Sequence, residues 1–274
     1  MSRSFIRSAL FVPASRPERI PKALASGADL VIVDLEDAVS PTDKASARHA
    51  LEEALTHHLD GETPIAVRIN ALESKESDAD LALCGRYPGI AALIVPKAES
   101  VGGLRAVRAH YEGAIWAQLE TARGLAQVAE LATAKGVERL TCGELDLALD
   151  LGLVSGSAGG EAMLDQARYA LVMQSRLAGL DAPLAAIVPT IDTPAVIDVH
   201  ARRAREMGFG GMLCIHPAQL APVHRVFAST PEELDWARWV VEHAADGAAV
   251  FSVDGRMVDA PVIALARQML ARRD

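Results

Sequence analysis

Two carboxylates, Glu120 and Asp146, follow short apolar runs that have the composition of β-strands. If these runs are neighbouring parallel strands, their carboxyl ends meet and both side chains can reach one ion. Mg²⁺ prefers oxygen ligands and keeps several waters, so two protein carboxylates are enough to hold it. The alternative is that both residues are helix caps or solvated acids. The eight histidines are scattered and offer no zinc site.

Charged residues of both signs follow three further runs. Arg68, after one run, could hold a substrate carboxylate with two parallel hydrogen bonds or pair with a nearby acid. Asp34 and Glu36 follow another run and point to the same side if the strand continues. Like charges this close require a cation, and Lys97 is a candidate. We expect at least one acid here to be structural, such as Asp34 pairing with Arg68 or Lys97, or Asp37 capping the next helix.

Basic residues surround the first apolar run. Arg7, Arg16 and Lys22 could hold phosphate groups at the rim of a pocket, or they could form a solvated basic face. The three cysteines are dispersed and show no C-x-x-C spacing, which indicates reduced thiols in a cytoplasmic protein.

These charged residues can act together only in a fold that brings the strand ends to one place. The alternation of apolar runs and helical segments predicts such a fold. Strands are predicted at residues 7–13, 30–34, 65–69, 91–95, 115–119, 139–142, 185–188 and 212–215. Helices are predicted between them at 17–26, 42–59, 100–110, 122–134, 161–178 and 195–207. Eight strands alternating with helices predict an α/β fold, a (β/α)8 TIM barrel. The carboxyl ends of its strands would form one ring around one pocket.

Two segments depart from this alternation. The sequence GLVSGSAGG at 152–160 is either a plain flexible connection or a mobile lip over the pocket. The tail predicts a helix at 230–245, a short strand at 248–253, a turn at 254–255 and a helix at 260–272. We therefore divide the chain into a catalytic barrel, residues 1–228, and a C-terminal helical or lid extension, residues 229–274.

Composition excludes several classes of function. The chain has 274 residues, of which 50% are hydrophobic and only 4% aromatic, as suits a parallel sheet covered by helices. A net charge of -9 argues against a nucleic-acid partner. Neither a signal peptide nor a membrane span is predicted, so we expect a cytoplasmic location.

Taken in order, the motifs resemble those of the citrate lyase β-subunit-like and malyl-CoA lyase family, the HpcH/HpaI aldolase–citrate lyase superfamily. The matching segments are RSALFVP (7–13), DLEDAV (34–39), VRIN (67–70), PKAE (96–99), LETA (119–122), GELDL (143–147), IHP (215–217) and DGRMVDAP (254–261). They cover almost the whole chain, and their shared order is far more specific than any one of them.

The resemblance implies a TIM barrel with Mg²⁺, or Mn²⁺ in its place, at the strand ends, held by Glu120 and Asp146. It implies that Arg68 binds the substrate carboxylate, with Gly143 and Glu144 also at the substrate. It implies a homotrimer or hexamer, in which the extension packs on a neighbouring subunit and brings Asp259 to the neighbour's site. A CoA thioester substrate is implied as well, with CoA contacts from Arg7 and Lys22.

The reaction implied is cleavage, or formation, of a 3-hydroxyacyl-CoA such as citramalyl-CoA, malyl-CoA or citryl-CoA, giving an acyl-CoA and a 2-oxo acid. Asp259 is our first candidate for the proton-transferring carboxylate and Glu36 the second. Two alternatives remain open. One is a metal-dependent aldolase acting on 2-oxo acids without CoA, and the other is a citrate lyase subunit that acts only with partner chains.

Overall fold

The predicted barrel is confirmed in the computed structural model, which describes residues 5–59, 61–191, 193–245, 251–253 and 256–271. Eight parallel strands pair in chain order, and β8 closes the barrel against β1. The strands are β1 (Ser8–Pro13), β2 (Leu30–Asp34), β3 (Ile65–Arg68), β4 (Ala92–Val95), β5 (Ala114–Leu119), β6 (Val137–Cys142), β7 (Leu184–Ala185) and β8 (Gly211–Cys214).

Helices follow the strands and cover the barrel. They are α1 (Ile20–Leu24), α2 (Lys44–His58), α3 (Ser77–Cys84), α4 (Val101–His110), α5 (Ala122–Ala126), α6 (Val128–Ala132), α7 (Glu144–Asp150), α8 (Ala158–Leu177), α9 (Pro194–Met207) and α10 (Leu220–Phe227). The helix predicted at 122–134 is divided at Gln127, and the predicted loop at 152–160 is shorter, because Ser157 caps α8. None of the described helices is both long and apolar enough to span a lipid bilayer.

The alternation of side chains along each strand divides the apolar residues between two cores. In β2, Val31 and Val33 pack with residues of the surrounding helices, whereas Leu30 and Ile32 belong to a second cluster drawn from the strands and their ends. That second cluster fills the barrel interior, and it includes Trp116, which is fully buried. The next inward position after Leu30 and Ile32 is therefore Asp34, at the mouth of the barrel.

The C-terminal extension builds a small core of its own. It consists of α11 (Pro231–Ala245), the antiparallel strands β9 (Phe251–Val253) and β10 (Arg256–Val258), and α12 (Ala260–Ala271). Its buried cluster is Ala237, Val240, Val258 and Ala266. The predicted helices are confirmed over the residues described. The predicted turn at 254–255 and the first half of the predicted strand at 248–253 lie outside those residues, whereas its second half is β9.

Candidate active site

Polar side chains occupy the last inward positions of several strands, at the carboxyl end of the barrel. Asp34 and Arg68 are paired in the strand register of β2 and β3. Gln118 lies in β5, and Glu120 follows two residues later on the same inward alternation. These residues are buried or nearly so, with Glu120 only 1% exposed. The strand ends thus gather a charged cluster in a position shielded from water.

Arg68 is held by the acids of the neighbouring strand. Its Nε and Nη2 each donate to a different carboxylate oxygen of Asp34 at 2.7 Å. Its Nη1 lies 3.2 Å from Oε2 of Glu36, and its guanidinium stacks over the ring of Phe11 at 4.8 Å. The two-pronged bond that we expected for a substrate goes to Asp34 in this structure. Its other edge, Nη1–Nη2, faces Glu36.

Asp34 has the structural role that the sequence offered as one alternative. Besides Arg68, its carboxylate accepts the backbone N–H groups of Glu36 at 2.9 Å and Ala38 at 3.2 Å. Asp37, by contrast, does not cap the next helix, because the residue before α2 is Asp43. Asp34 therefore fixes both the turn that presents Glu36 and the orientation of Arg68.

Lys97 connects the two other buried carboxylates. Its Nζ donates to Oε1 of Glu36 at 2.8 Å and lies 3.8 Å from Oε2 of Glu120, while its backbone N–H donates to that same oxygen at 3.0 Å. The backbone of Lys97 has φ of 47°, the left-handed conformation that a residue other than glycine adopts at a cost of about 1–3 kcal/mol. This strained turn directs both the backbone N–H and the ammonium group of Lys97 at the acids.

The charge balance of the cluster favours a further cation. Burial and the nearby Glu36 raise the pKa of Glu120 to about 7, although Lys97 and Arg68 act in the opposite direction, and Asp146 adds to the repulsion. Burial likewise raises the pKa of Glu36 against the influence of Arg68 and Lys97. Oε2 of Glu36 has no hydrogen-bond partner among the described residues. The carboxylates thus outnumber the positive charge that the protein itself supplies.

Gly143 provides the space in which Glu120 lies. A Cβ atom at position 143 would be 2.1 Å from Oε1 of Glu120 and 2.7 Å from its Cγ. Gln118 donates to the same Oε1. The carboxylate is therefore fixed on one side by Gln118 and on the other by the backbone of Lys97, and it fills the room left by the missing side chain. The structure thus shows Gly143 as the room for Glu120, and its predicted place at the substrate stays a prediction.

The residues present fit a Mg²⁺ ion. Asp146 lies in the first turn of α7, close enough to Glu120 for the two charges to interact. Both offer carboxylate oxygens, the ligand type that Mg²⁺ takes while keeping several waters. No cluster of three or more His, Cys, Asp or Glu side chains suited to a metal occurs among the described residues. A site with only these two protein ligands suits a strongly hydrated ion better than zinc.

Glu144, predicted at the substrate, is paired with an arginine of its own chain, and its substrate role stays a prediction. Both of its carboxylate oxygens accept hydrogen bonds from Arg168 of α8, one from Nε at 2.8 Å and one from Nη2 at 2.5 Å. Arg168 also donates from Nη1 to Glu161 and Asp165. Glu144 is therefore bound within an ion-pair network, and its oxygens are engaged by protein.

Arg7, predicted to contact CoA, binds an acid of its own chain in this structure. Arg7 precedes β1, so it lies at the amino end of the barrel, opposite the cluster. Its backbone N–H and its guanidinium both donate to Asp29. Burial by itself raises the pKa of Asp29, but hydrogen bonds from His224 and Arg7 outweigh it and hold that pKa well below its usual value. Arg7 thus lies at the amino end of the barrel, and its predicted contact to CoA stays a prediction.

The roles proposed for Lys22 and Asp259 remain predictions. Lys22 is exposed on α1. Asp259 precedes α12, where its side chain accepts the backbone N–H of Val262 at 3.4 Å and its carbonyl accepts that of Ile263 at 2.9 Å. Within its own chain Asp259 is therefore the N-terminal cap of α12 and is partly exposed.

Comparison with known proteins places this geometry in a family. A model of the HpcH/HpaI aldolase/citrate lyase family matches residues 7–217. The chain belongs to this family. It is 36% identical to a citrate lyase subunit beta-like protein of Mycobacterium tuberculosis, over 96% of this chain and 94% of the relative. It is 31% identical to a (3S)-malyl-CoA thioesterase of Cereibacter sphaeroides, over 98% of this chain and 94% of the relative.

Solved structures support the same relationship. The chain superimposes on the protein CitE from Mycobacterium tuberculosis, solved in complex with magnesium, acetoacetate and coenzyme A, with a TM-score of 0.86. The two sequences are 33% identical, and the match covers 99% of each chain. Both the barrel and the C-terminal extension are thus covered by the likeness to this member of the HpcH/HpaI family.

The sequence did not single out three residues that shape the site. Gln118 orients Glu120, and Arg168 holds Glu144. Asp80, fully buried in α3, accepts both N–H and Nδ2 of Asn70 at 2.8 and 2.7 Å and so fixes the chain just after Arg68. Arg168 and Asp80 lie on helices that the strand pattern does not address. The alternation in β5, which places Gln118 two residues before Glu120, is the one signal that could have found any of them.

Proposed function

We propose that this chain is a magnesium-dependent carbon–carbon lyase that acts on CoA thioesters. Its substrate would be a 3-hydroxyacyl-CoA such as citramalyl-CoA, malyl-CoA or citryl-CoA, and its products an acyl-CoA and a 2-oxo acid. One observation carries the proposal: an Arg68–Glu36–Lys97 cluster lies beside the paired acids Glu120 and Asp146 in a chain similar throughout to a protein that binds magnesium, acetoacetate and coenzyme A.

Glu120 and Asp146 would hold the metal. Glu120 is already fixed by Gln118 and by the backbone of Lys97, so little of its side-chain freedom is left to lose on binding. When bound, Mg²⁺ supplies a Lewis acid and a template for the substrate oxygens. The protein's part is to keep two oxygen ligands in place in a buried site, and Gly143 is necessary for this because of the space that it leaves.

Arg68 would meet the negative charge of the substrate. Its Nε–Nη2 edge is taken by Asp34, so a substrate carboxylate, or the oxygen on which charge develops, would meet the Nη1–Nη2 edge, where Oε2 of Glu36 lies 3.2 Å from Nη1. The stacking on Phe11 and the bonds to Asp34 hold the guanidinium in one orientation before substrate arrives. Preorganisation of this kind stabilises a transition state without reorganisation during the reaction.

Two carboxylates are candidates for the proton transfer. In cleavage the hydroxyl proton goes to a base, the C–C bond breaks, and its electron pair passes to the thioester enolate, which then takes a proton at carbon. Asp259 of a neighbouring subunit is our first candidate, because it is partly exposed and lies in an extension with its own core. Glu36 is the second, because it lies in the cluster itself between Lys97 and Arg68.

The first candidate requires an assembly. We propose a homotrimer or hexamer in which the extension of one subunit covers the barrel mouth of the next. Met257, two residues before Asp259, is 66% exposed, and Leu265 of α12 is 48% exposed. Apolar side chains left open on a segment that carries a proposed catalytic acid are suited to burial against a neighbour.

The decisive experiment follows 2-oxo acid release from the three CoA esters with and without Mg²⁺. We expect glyoxylate, pyruvate or oxaloacetate to appear from at least one ester, and the variants Glu120→Gln and Asp146→Asn to lose the Mg²⁺-dependent turnover. Glu53→Gln is a matched control, because this acid is 64% exposed on α2, outside both the cluster and the extension. Its activity should equal that of the wild type.

The products separate the alternatives. Free CoA and an intact hydroxy acid, with no 2-oxo acid, would indicate a thioesterase like the Cereibacter sphaeroides relative. Cleavage of a hydroxy acid that carries no CoA would indicate the aldolase. Activity that appears only with added partner chains would indicate a lyase subunit. Any of these results, or turnover that does not need a divalent metal, would contradict the proposal.

A further inference from the structure

The ion-pair network around Arg168 lies outside the cluster and joins two helices behind it. Arg168 is on α8 with only 11% of its side chain exposed, and its three guanidinium nitrogens all donate to carboxylates. Nε and Nη2 hold the two oxygens of Glu144, while Nη1 contacts Glu161 and Asp165. A largely buried guanidinium with three acidic partners is a strong anchor for whatever those acids belong to.

Glu144 is the first residue of α7, a helix of only seven residues. The residue before it, Gly143, has no side chain and cannot cap the helix with one. Among the described residues of α7 only Leu147 is buried, while Leu145 is 57% exposed and Leu149 is 81% exposed. A helix this short is not stable by itself in water. Besides Leu147, α7 is held at its end by Asp150, whose carboxylate accepts the backbone N–H of Ala122 at 2.7 Å, and at its start by the two-pronged bond to Glu144.

The geometry of a helix connects this anchor to the metal site. At 3.6 residues per turn, two side chains that are two residues apart point about 200° apart around the helix axis. Glu144 faces α8, so Asp146 faces away from it, towards Glu120, with which its charge interacts. Rotation of α7 about its axis would carry Asp146 away from Glu120. The bond from Arg168 to Glu144 opposes that rotation.

We infer that Arg168 is a positioning residue for the metal site: by holding Glu144 from α8 it sets the rotation of α7 and so aims Asp146 at the ion shared with Glu120. This inference rests on the metal site of the proposed function. Outer partners that orient metal ligands typically contribute 10- to 100-fold to metal affinity. A role of this kind predicts weaker metal binding in a protein that is still folded.

The chain offers a matched control in the same network. Arg203 contacts Glu161 at 3.4 Å and Asp165 at 2.5 Å, two of the three acids that Arg168 holds, and within the described part of the chain it makes no ion pair with Glu144. Replacing Arg203 removes positive charge and two salt bridges while leaving the bond to Glu144. If the network acts only through its charge or its contribution to stability, the two arginines should behave alike.

The experiment measures Mn²⁺ binding by electron paramagnetic resonance in purified wild type, Arg168→Ala, Arg168→Lys, Arg203→Ala and Asp146→Asn. Circular dichroism and thermal unfolding check that each variant is folded. We expect the Kd for Mn²⁺ to rise roughly 10- to 100-fold in Arg168→Ala. It should rise less in Arg168→Lys, which keeps the charge but not the fork, and stay within about twofold in Arg203→Ala. Activity of Arg168→Ala should recover as Mg²⁺ is raised.

Should Arg168→Ala fail to fold, Glu144→Gln tests the same bond with a smaller change of charge, and its Kd should rise as well. A folded Arg168→Ala, or Glu144→Gln, with the wild-type Kd would overturn the inference, and so would an equal loss in Arg203→Ala. Asp146→Asn separates the two levels of the argument. If Asp146→Asn binds Mn²⁺ like the wild type, the metal site and the inference both fall. If Asp146→Asn weakens binding and Arg168→Ala does not, the positioning role alone falls.

Discussion

Gly143→Ala is the sharpest perturbation that the site allows, because it adds one methyl group at a known distance from a proposed ligand. The new Cβ would lie 2.1 Å from Oε1 of Glu120, 2.7 Å from its Cγ and 2.8 Å from its Cδ. Ordinary contact begins at 3.4 Å, so the carboxylate must retreat by about 1.3 Å. The backbone of Gly143 has φ of -90° and ψ of 84°, close to an inverse γ-turn that alanine also adopts. The effect is therefore expected at Glu120 and not in the turn.

The magnitude follows from the tolerance of metal coordination. Metal–ligand distances vary by only about 0.2 Å, so a carboxylate displaced by about 1.3 Å no longer serves as a ligand in the same place. We expect Mn²⁺ affinity to fall by at least about 100-fold, which is the upper end of the loss seen when only an outer partner is removed. Crowding the buried site should cost about 1–3 kcal/mol of unfolding free energy.

The assay pairs Mn²⁺ binding with Mg²⁺-dependent release of 2-oxo acid, and thermal unfolding reports stability. Gly159→Ala is the matched control, because Gly159 lies in α8, has nothing within 4 Å of the position that a methyl group would take, and is not in a left-handed conformation. It should keep wild-type metal binding and activity. A folded Gly143→Ala protein with wild-type Mn²⁺ affinity would refute the claim that the space at Gly143 holds Glu120 for a metal.

Three further predictions test other parts of the molecule. Arg68→Lys keeps the charge but loses the two parallel bonds to Asp34. A charged hydrogen bond is worth about 1.5–3 kcal/mol, so kcat/KM should fall roughly 10- to 100-fold. A near-normal kcat/KM would contradict this prediction. Because the pKa of Asp29 is lowered on folding, its ionised form stabilises the protein above about pH 4 and that stability is lost as pH falls. In denaturant titrations the unfolding free energy of Asp29→Asn should therefore be about 1.5–3 kcal/mol lower than that of the wild type at neutral pH. It should also fall less steeply as the pH is lowered. If the unfolding free energy falls as steeply as in the wild type, Asp29 does not contribute to the pH dependence. Mixing inactive Asp259→Ala chains with inactive Glu120→Ala chains should restore part of the activity, since a mixed assembly can form a site with both residues intact; no recovery in mixtures shown to exchange subunits would place Asp259 outside a neighbour's site.

The barrel could be predicted because its strands are buried on both faces and so appear as apolar runs. β7 shows where that rule stops. The run at 185–188 predicts four strand residues, but the strand contains only Leu184–Ala185. Beyond it, Nε2 of Gln219 donates to the carbonyls of Val188 and Thr190 at 2.8 and 2.9 Å. A side chain that lies 29 or more positions along the chain thus replaces the neighbouring strand as hydrogen-bond partner. No local pattern contains that information.

The position of a residue relative to its strand determines the end of the barrel at which it lies. Arg68 and Asp34 lie at the ends of their strands and Glu36 and Glu120 just beyond them, so parallel strands bring all four to one end of the barrel. Arg7 precedes its strand, so the same rule places it at the amino end, away from the cluster, and its assignment to CoA stays a prediction.

The sequence predicts which charged residues come together better than it predicts which of them pair with one another. Arg68 takes Asp34, Lys97 takes Glu36 and Glu144 takes Arg168, although every one of these charges had other candidates in sequence. Strand register selects Asp34 for Arg68, since the two are direct neighbours in β2 and β3. The other two choices depend on a strained turn at Lys97 and on how α8 lies against α7. Both are tertiary features. The role of Gly143 is tertiary as well, because it leaves the space in which Glu120 lies. Most of the acids proposed to carry the chemistry can thus be predicted from the strand ends, whereas the residues that orient them follow only from the folded chain.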